Sequence, residues 1–183
     1  MDDVIQILTH TKKITEQKQV IVPAVALSDG EARLRIEGFA ITANNVTYAA
    51  SGFDMGYWKF FPLTDEDWGL VPVWGFAEVV ESASDVVALG DRFYGFFPMA
   101  SELVLKPVLH GGNAIRDVAV HRLDLPVVYN IYARAASAQK GSDSYRALMQ
   151  PLIATSYLLY DWLMDSNWFG AEQFVIGSAS SKT

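Results

Sequence analysis

Two amides and a phenol lie close together in the first third of the chain and could take part in carbonyl chemistry. Asn44, Asn45 and Tyr48 fall within five residues of one another. An amide can bind a carbonyl oxygen without titrating, and a phenol can donate a hydrogen bond or a proton to that oxygen. The alternative is structural, since adjacent asparagines favour a turn and the tyrosine could pack beneath the aromatic segment that follows. The sequence leaves both interpretations open.

Aromatic residues make up 13% of the chain and are densest between residues 39 and 97. Tyr57 and Trp58 lie in a predicted loop over residues 53–69, where they could form the wall of an apolar substrate pocket. Trp74 and Phe76 could belong to the same wall, but they lie in the middle of a predicted strand, a position more typical of a protein core.

The last seven residues form a segment of small side chains: Gly177, Ser178, Ala179, Ser180, Ser181, Lys182 and Thr183. Small side chains let a ligand approach the backbone, whose N–H groups, together with the hydroxyls, can hold a pyrophosphate at the start of a helix. The spacing is not that of a P-loop, because no second glycine directly precedes the lysine. We therefore predict a dinucleotide-phosphate site at residues 177–183.

The chain has no cysteine. This excludes disulfides, thiolate zinc sites, iron–sulfur clusters and cysteine nucleophiles. The three histidines, His10, His110 and His121, have no metal-like spacing, so we expect a structural role for each of them. The sequence predicts no metal site.

The composition predicts a soluble cytoplasmic protein with a sizeable core. The 183 residues include 21 acidic and 14 basic side chains, for a net charge of −7, and 51% are hydrophobic. An acidic balance argues against nucleic-acid and membrane partners, both of which need a basic face. No signal peptide or membrane span is predicted, because the first residues are acidic and the apolar run over residues 152–163 is too short.

Hydrophobic periodicity changes near residue 130. Before that point, glycine and proline separate short apolar or alternating segments, as in a small antiparallel barrel. Strands are predicted over residues 4–8, 20–27, 33–40, 71–80, 91–97 and 103–105. In the third of these, the alternation places Arg33, Arg35 and Glu37 on a solvated face.

After residue 130, apolar residues at spacings of three and four predict one long helix over residues 145–164. Asp143 or Ser144 would cap it, and Pro151 would mark either its true first turn or a kink. A last apolar strand is predicted over residues 173–176, leading into the small-residue segment.

Three motifs resemble the catalytic domain of the medium-chain dehydrogenase/reductase superfamily. Residues 72–80 read PVWGFAEVV, where that superfamily has a proline and then Gly-His-Glu-x-x-Gly-x-Val, and residues 90–95 read GDRFYG, where it has Gly-Asp-Arg-Val-x-Gly. Residues 47–52, TYAASG, resemble a segment of its zinc-free quinone oxidoreductase branch. The chain also resembles, more closely, an uncharacterised "domain of unknown function" family that is distantly related to that superfamily. Members of this family are longer than the chain. The residues that carry the resemblance are 42–48, 57–62, 73–79, 128–130 and 178–183.

The resemblance implies a fold in three parts. Residues 1–130 would form a zinc-free, partly open GroES-like β-barrel, residues 131–170 a junction with the long helix, and residues 171–183 the first strand of an incomplete Rossmann domain. The chain would then be a piece of a longer polypeptide. The zinc-binding histidine and glutamate of the superfamily fall on Trp74 and Gly75, so zinc chemistry is not expected.

The activity that the resemblance implies is the zinc-independent, NADP(H)-dependent reduction of a carbonyl or a conjugated enone. Tyr48 would donate a proton or a hydrogen bond to the carbonyl beside the nicotinamide, with Asn44 or Asn45 next to it, and residues 177–183 would bind the cofactor. Two alternatives stay open: a non-catalytic ligand-binding or structural relative, and an inactive fragment. The expected partner is a small-molecule substrate, and a homodimer is left open.

Overall fold

Strands dominate the computed structural model, which describes residues 3–177. The strands are β1 (Val4–His10), β2 (Gln17–Val22), β3 (Ala32–Ala40), β4 (Trp68–Leu70), β5 (Pro72–Ser82), β6 (Arg92–Pro98), β7 (Glu102–Leu105), β8 (Pro107–His110), β9 (Ala114–Asp117) and β10 (Ile131–Arg134). The α-helices are α1 (Ala43–Ala50) and α2 (Lys140–Asp165). Short 3₁₀ turns cover Tyr57–Lys59, Val120–Arg122, Val127–Asn130 and Asn167–Gly170.

Seven of the strands form one antiparallel sheet in the order β7-β3-β5-β6-β10-β9-β8. Its two edge strands, β7 and β8, are consecutive in the chain and are separated only by Lys106. The backbone N–H of Lys106 donates to the Asp117 carboxylate at 3.0 Å, and the carbonyl of Lys106 accepts from Val118 at 2.9 Å. The sheet is therefore nearly closed and barrel-like, which agrees with the predicted partly open β-barrel.

A second sheet has the order β2-β1-β4 and packs beside the first. The two sheets are joined through residues 99–101: Ile7 N donates to Met99 O at 2.9 Å, Ser101 N to Ile5 O at 2.8 Å, and Ile36 N to Ser101 O at 2.8 Å. β1 pairs with β2 in antiparallel register, and Pro23 follows directly after β2, where it interrupts no ladder.

Strand β6 is buried on both faces, because each face contacts a different cluster. Successive side chains of a strand point to opposite faces. Phe93 and Phe97 point into the barrel core, whereas Phe96 packs into a second aromatic cluster and Tyr94 into a small group with Phe76 and Ala147 of α2. The second cluster lies between the small sheet, α1 and the barrel; we call it the aromatic cluster, and its buried residues are Leu8, Tyr48, Ala49, Tyr57, Trp58, Phe60, Phe61, Leu70, Val71 and Phe96.

Helix α2 begins earlier than predicted, at Lys140, with Gln139 as its N-cap residue. Asp143 lies in the first turn, where its carboxylate accepts the N–H of Gln139 at 2.8 Å and pairs with Arg92 at 2.9 Å. The helix is therefore anchored to β6 rather than capped at residue 143 or 144. It continues through Pro151 to Asp165.

The second half of α2 exposes large apolar side chains on several sides. A helix that is apolar all round is usually covered, yet these side chains are between 47% and 63% exposed within the described part of the chain. They are Ile153, Tyr157, Leu158, Leu159, Tyr160, Trp162 and Met164.

The chain after α2 differs from the prediction. Residues 173–176 form no strand, and Phe174, Val175 and Ile176 are exposed. An apolar segment becomes a strand only beside another strand that takes up its N–H and C=O groups, and residues 3–177 supply none there. Residues 178–183 lie outside the described residues. No helix within residues 3–177 is long and apolar enough to cross a membrane.

Candidate functional site

A cleft of about 660 Å³ lies between α1, the strands β5, β6 and β10, and the middle of α2. Its size and its largely apolar, aromatic lining are those of a small-molecule site. Asparagine, glutamine, threonine and tyrosine side chains provide its polar groups, and no charged residue among residues 3–177 lines it. The lining residues are Asn44, Tyr48, Trp74, Tyr94, Val128, Tyr129, Ile131, Ala133, Gln150, Pro151, Leu152, Ala154, Thr155 and Leu158.

Helix α1 brings two of the predicted site residues into this cleft. Asn44 and Tyr48 are one turn apart on the helix, at spacing i, i+4, and therefore share a face. The segment is an α-helix and not the turn that adjacent asparagines favour, because Thr42 caps it: the Thr42 hydroxyl accepts the N–H of Asn44 at 3.2 Å. The amide side chain of Asn44 makes no hydrogen bond within the described residues, so it is available to a ligand.

Asn45 has a different role, although its side chain is of the same type. Its Oδ1 accepts the N–H of Thr42 at 2.6 Å and completes a capping box, and its Nδ2 donates to the carbonyl of Pro72 at 2.8 Å. Asn45 is buried, and these two bonds fix α1 to the start of β5. Its catalytic role stays a prediction, but the geometry favours Asn44.

Alanine substitution should separate the two asparagines. We expect Asn45→Ala to lower the free energy of unfolding by about 1–2 kcal/mol, because it removes a helix cap and leaves the buried Pro72 carbonyl unpaired. Asn44→Ala should change stability by less than about 0.5 kcal/mol, since no bond is lost. Urea unfolding followed by circular dichroism measures both values. Equal losses of stability in the two variants would contradict a structural role for Asn45 and a free side chain for Asn44.

The phenol of Tyr48 is buried but forms no regular hydrogen bond with the described part of the chain. The side chain is 9% exposed, and burial raises its pKa above the ordinary tyrosine value. The nearby indole N–H of Trp74 favours the phenolate and therefore reduces this rise in the pKa of Tyr48. The indole nitrogen nevertheless has no partner in regular hydrogen-bond geometry within the described residues. Tyr48 therefore stays protonated at neutral pH and can act as a donor.

Two further tyrosines line the cleft, and both are held in the neutral form. Burial raises the pKa of Tyr94, against the opposing effect of the Arg146 charge, and burial also raises the pKa of Tyr129. The Tyr129 hydroxyl lies 3.3 Å from that of Tyr57. The Tyr94 hydroxyl and the Trp74 indole N–H are buried without a hydrogen-bond partner among the described residues. Unpaired buried donors cost free energy, so a ligand with acceptor atoms would be stabilised here.

Flat rings form the inner wall of the cleft. Trp74 and Tyr94 are stacked with their centroids 5.6 Å apart and their planes inclined by 18°. Tyr129 packs against Trp74 at 6.1 Å and against Phe96 at 4.6 Å. A wall of this kind accommodates a planar apolar molecule.

Tyr57 and Trp58, the predicted pocket residues, lie one layer behind this wall. Tyr57 is buried and packs against Tyr48 with the ring centroids 4.6 Å apart. Trp58 packs between Gly52 and Gly69, and a Cβ atom at either glycine would overlap the Trp58 ring. Neither residue is part of the lining, and their role in the pocket stays a prediction.

Five of the lining residues were not singled out as site residues by the sequence. Trp74 was expected in the core, but it is only half-buried because one side of its ring faces the cleft. Tyr94 and Tyr129 come from β6 and from the 3₁₀ turn before β10. The helix α2 contributes Gln150 and Thr155. The only available signal was the presence of Tyr94 and Tyr129 within the motifs at residues 90–95 and 128–130.

The structure does not show where the predicted cofactor loop, residues 177–183, lies relative to this cleft. Gly177 lies in an exposed turn, and Ser178–Thr183 are outside the described residues. Within residues 3–177, no group of three or more histidine, aspartate or glutamate side chains could hold a metal ion. The absence of zinc in the functional protein stays a prediction.

The fold and the cleft define a β-rich protein with a pocket between a barrel-like sheet and a helix. The chain belongs to the family described as "Protein of unknown function (DUF2855)", which matches residues 39–183. This confirms the predicted membership of a domain-of-unknown-function family. No curated protein matches the chain. The relation to the medium-chain dehydrogenase/reductase superfamily stays a prediction.

Proposed function

We propose that the cleft binds a small carbonyl compound and that the chain, within a longer polypeptide, is a zinc-independent NADP(H)-dependent reductase of a carbonyl or conjugated enone. One observation carries the proposal: Asn44 and Tyr48 project from one face of α1 into the same cleft, and neither side chain forms a regular hydrogen bond within residues 3–177. Two free donors beside a flat aromatic wall suit a planar carbonyl.

NADPH, when bound, would supply the hydride for the reaction. The residues of the chain would bind the substrate and supply the proton. The Asn44 amide would hold the carbonyl oxygen, and the Tyr48 phenol would donate its proton as negative charge develops on that oxygen. The phenolate would then recover a proton from water. A phenol that stays protonated at neutral pH, as the raised pKa of Tyr48 requires, is in the correct state for this step.

The proposed cofactor site lies at residues 177–183, and a complete dinucleotide-binding domain would need further strands and a helix after it. Gly177, the one described residue of the segment, is exposed, and the position of its missing Cβ is open. This is compatible with a close approach of phosphate. The proposal therefore applies to a polypeptide that includes a complete Rossmann domain.

A second candidate, ligand binding without turnover, is favoured by a separate observation. No carboxylate, histidine or lysine lines the cleft in the described structure. The pKa values of Tyr48, Tyr94 and Tyr129 are all raised. No described lining group would therefore change its charge near neutral pH.

Replacing Tyr48 tests the two candidates. In a polypeptide extended through a Rossmann domain, we expect Tyr48→Phe to lower kcat for NADPH-dependent enone reduction by about 100-fold or more, because the proton donor is lost. NADPH oxidation at 340 nm measures the rate, and calorimetry measures NADPH binding. Tyr157→Phe is the matched control, since that tyrosine is exposed on α2.

Three outcomes separate the candidates. A large loss in Tyr48→Phe with a normal rate in Tyr157→Phe would support the reductase. Ligand binding without any NADPH oxidation would favour the non-catalytic relative. Absence of NADPH binding by the extended polypeptide would refute the proposal that NADP(H) is the cofactor.

A further inference from the structure

Two arginines have no acidic partner among the residues that the structure describes. The described part of the chain contains seven arginines, and five of them form ion pairs: Arg33, Arg35, Arg92, Arg122 and Arg134. Arg116 and Arg146 form none within residues 3–177. Both are half-buried, and in a protein with a net charge of −7 such cations would ordinarily find a carboxylate.

Arg146 lies on α2 next to the inner wall of the cleft. Its guanidinium packs over the ring of Tyr94, 4.7 Å from the centroid, and over Phe76 at 5.6 Å. Its Nε donates to Oε1 of Gln150 at 2.5 Å. Tyr94 and Gln150 both line the cleft. Asp143, one turn earlier, is already paired with Arg92 and leaves the Arg146 charge uncompensated.

Arg116 lies on the strand beside β10, on the same face of the sheet as one residue of the cleft lining. It lies on β9 directly opposite Ile131 of β10, and residues paired in this way point to the same face of a sheet. Ile131 lines the cleft, whereas the next pair, Ile115 and Tyr132, points into the barrel core. The side chain of Arg116 therefore shares the face of the sheet that borders the cleft.

We propose that the ligand of the cleft is a planar, conjugated molecule with an anionic oxygen, and that Arg146 and Arg116 supply the positive potential that selects it. This rests on the proposed function, because it names the substrate class of the same site: a conjugated carbonyl compound that bears a carboxylate. The rings of Trp74 and Tyr94 contact the flat part of the ligand, and the unpaired indole N–H and phenol O–H donate hydrogen bonds to its oxygen atoms. No acidic side chain of the lining opposes the anion.

The test compares an anionic probe with a neutral probe of the same shape. Cinnamate and cinnamamide differ only in that the carboxylate is replaced by an amide. We expect the chain to bind cinnamate about tenfold more tightly in calorimetry at low salt, and we expect the preference to shrink as salt is added. In nitrogen–proton NMR spectra, the indole N–H resonance of Trp74, assigned with Trp74→Phe, should shift with both probes.

Matched variants assign the preference to the arginines. Arg146→Met and Arg116→Met should each reduce the ratio of the two affinities several-fold, because cinnamate should lose more affinity than cinnamamide. Arg35→Met is the control, because Arg35 is exposed and pairs with Glu78 away from the lining. Arg116→Met keeps the test decisive if the packed Arg146 variant fails to fold.

The outcomes distinguish this inference from the proposed function. Equal binding of the two probes would overturn the anion preference and leave the carbonyl site standing. A preference that survives in both arginine variants would overturn the assignment to Arg146 and Arg116. Binding of neither probe, with an unmoved Trp74 resonance, would overturn both the inference and the carbonyl site.

Discussion

Arg122→Met is expected to lower the free energy of unfolding by about 3–5 kcal/mol, because it leaves the buried carboxylate of Asp117 without its cation. Both side chains are essentially inaccessible, at 0% and 1% exposure. Arg122 Nε lies 3.3 Å from Asp117 Oδ2, an ion-pair distance without regular hydrogen-bond geometry. For a chain of this length, the melting temperature should fall by roughly 6–20 °C.

The ion pair also links the barrel to the cleft. Asp117 accepts the backbone N–H groups of Lys106 and Ala119, where the two edges of the sheet meet. Arg122 donates to Oδ1 of Asn130 at 3.1 Å, and Nδ2 of Asn130 donates back to the carbonyl of Arg122 at 2.9 Å. Since Asn130 follows Tyr129 directly, this network holds the turn that places Tyr129 in the cleft.

Two control variants test whether the loss of stability in Arg122→Met comes from the buried charge. Lys12→Met breaks an exposed pair with Asp67 and should cost less than about 1 kcal/mol. The double variant Arg122→Met, Asp117→Asn removes both charges and should be less destabilised than the sum of the single changes. Thermal and urea unfolding measure all of these values. A loss below about 1 kcal/mol in Arg122→Met would show that the Asp117 charge is solvated by other means.

Local patterns predicted most of the strands before residue 106. The alternation over residues 33–40 and the apolar run over residues 71–80 reappear as β3 and β5, because each pattern records which faces of the strand are buried. The prediction for Arg33 was wrong. It was expected on a solvated face, yet it is 5% exposed, because Glu81 of β5 and Glu102 of β7 pair with it. Those partners lie 48 and 69 residues away in the chain, where no local pattern can reveal them.

The candidate site could be predicted only in part, because most of its residues are also far apart in the chain. Asn44 and Tyr48 are neighbours in sequence, so their shared role follows from one short segment. The rest of the cleft comes from β6, β10 and α2. The choice between Asn44 and Asn45 depended on whether the segment is a helix. Only the capping bonds of Thr42 and the carbonyl of Pro72 show which amide is occupied.

The strands β8, β9 and β10, each four residues long, were not predicted. Alternation over four residues is too short to distinguish a strand from a loop. They form because the barrel-like sheet offers an edge for each of them. The strand β10, which lies beyond the predicted domain boundary at residue 130, pairs with β6 and β9.

Gly75→Ala is expected to lower the free energy of unfolding by about 2–3 kcal/mol, because the strands β3 and β5 leave no room for a methyl group at that position. A Cβ on residue 75 would overlap the carbonyl oxygen of Gly38 and would lie 2.8 Å from Cβ of Phe39. Part of this obstacle is backbone, so a rotamer change cannot relieve it. The melting temperature should fall by roughly 4–12 °C.

The same close approach determines the position of the cleft wall. Trp74, which stands opposite Ala40 at the end of β3, would be displaced by any separation of the two strands. Thr42 and α1 follow two residues later, so Asn44 and Tyr48 would shift with them. We therefore expect Gly75→Ala to change the NMR resonance of the Trp74 indole N–H even where the variant remains folded.

Gly38→Ala is the matched control, since the two glycines lie on facing strands. The position of a Cβ on residue 38 is open, with nothing within 4 Å, and its φ angle suits any residue. Its stability should change by less than about 0.5 kcal/mol, or rise slightly because the unfolded chain loses freedom. Equal losses in the two variants would mean that the cost comes from replacing a strand glycine in general. A loss confined to Gly75→Ala, together with a shifted Trp74 resonance, would show that the approach of β5 to β3 shapes the cleft.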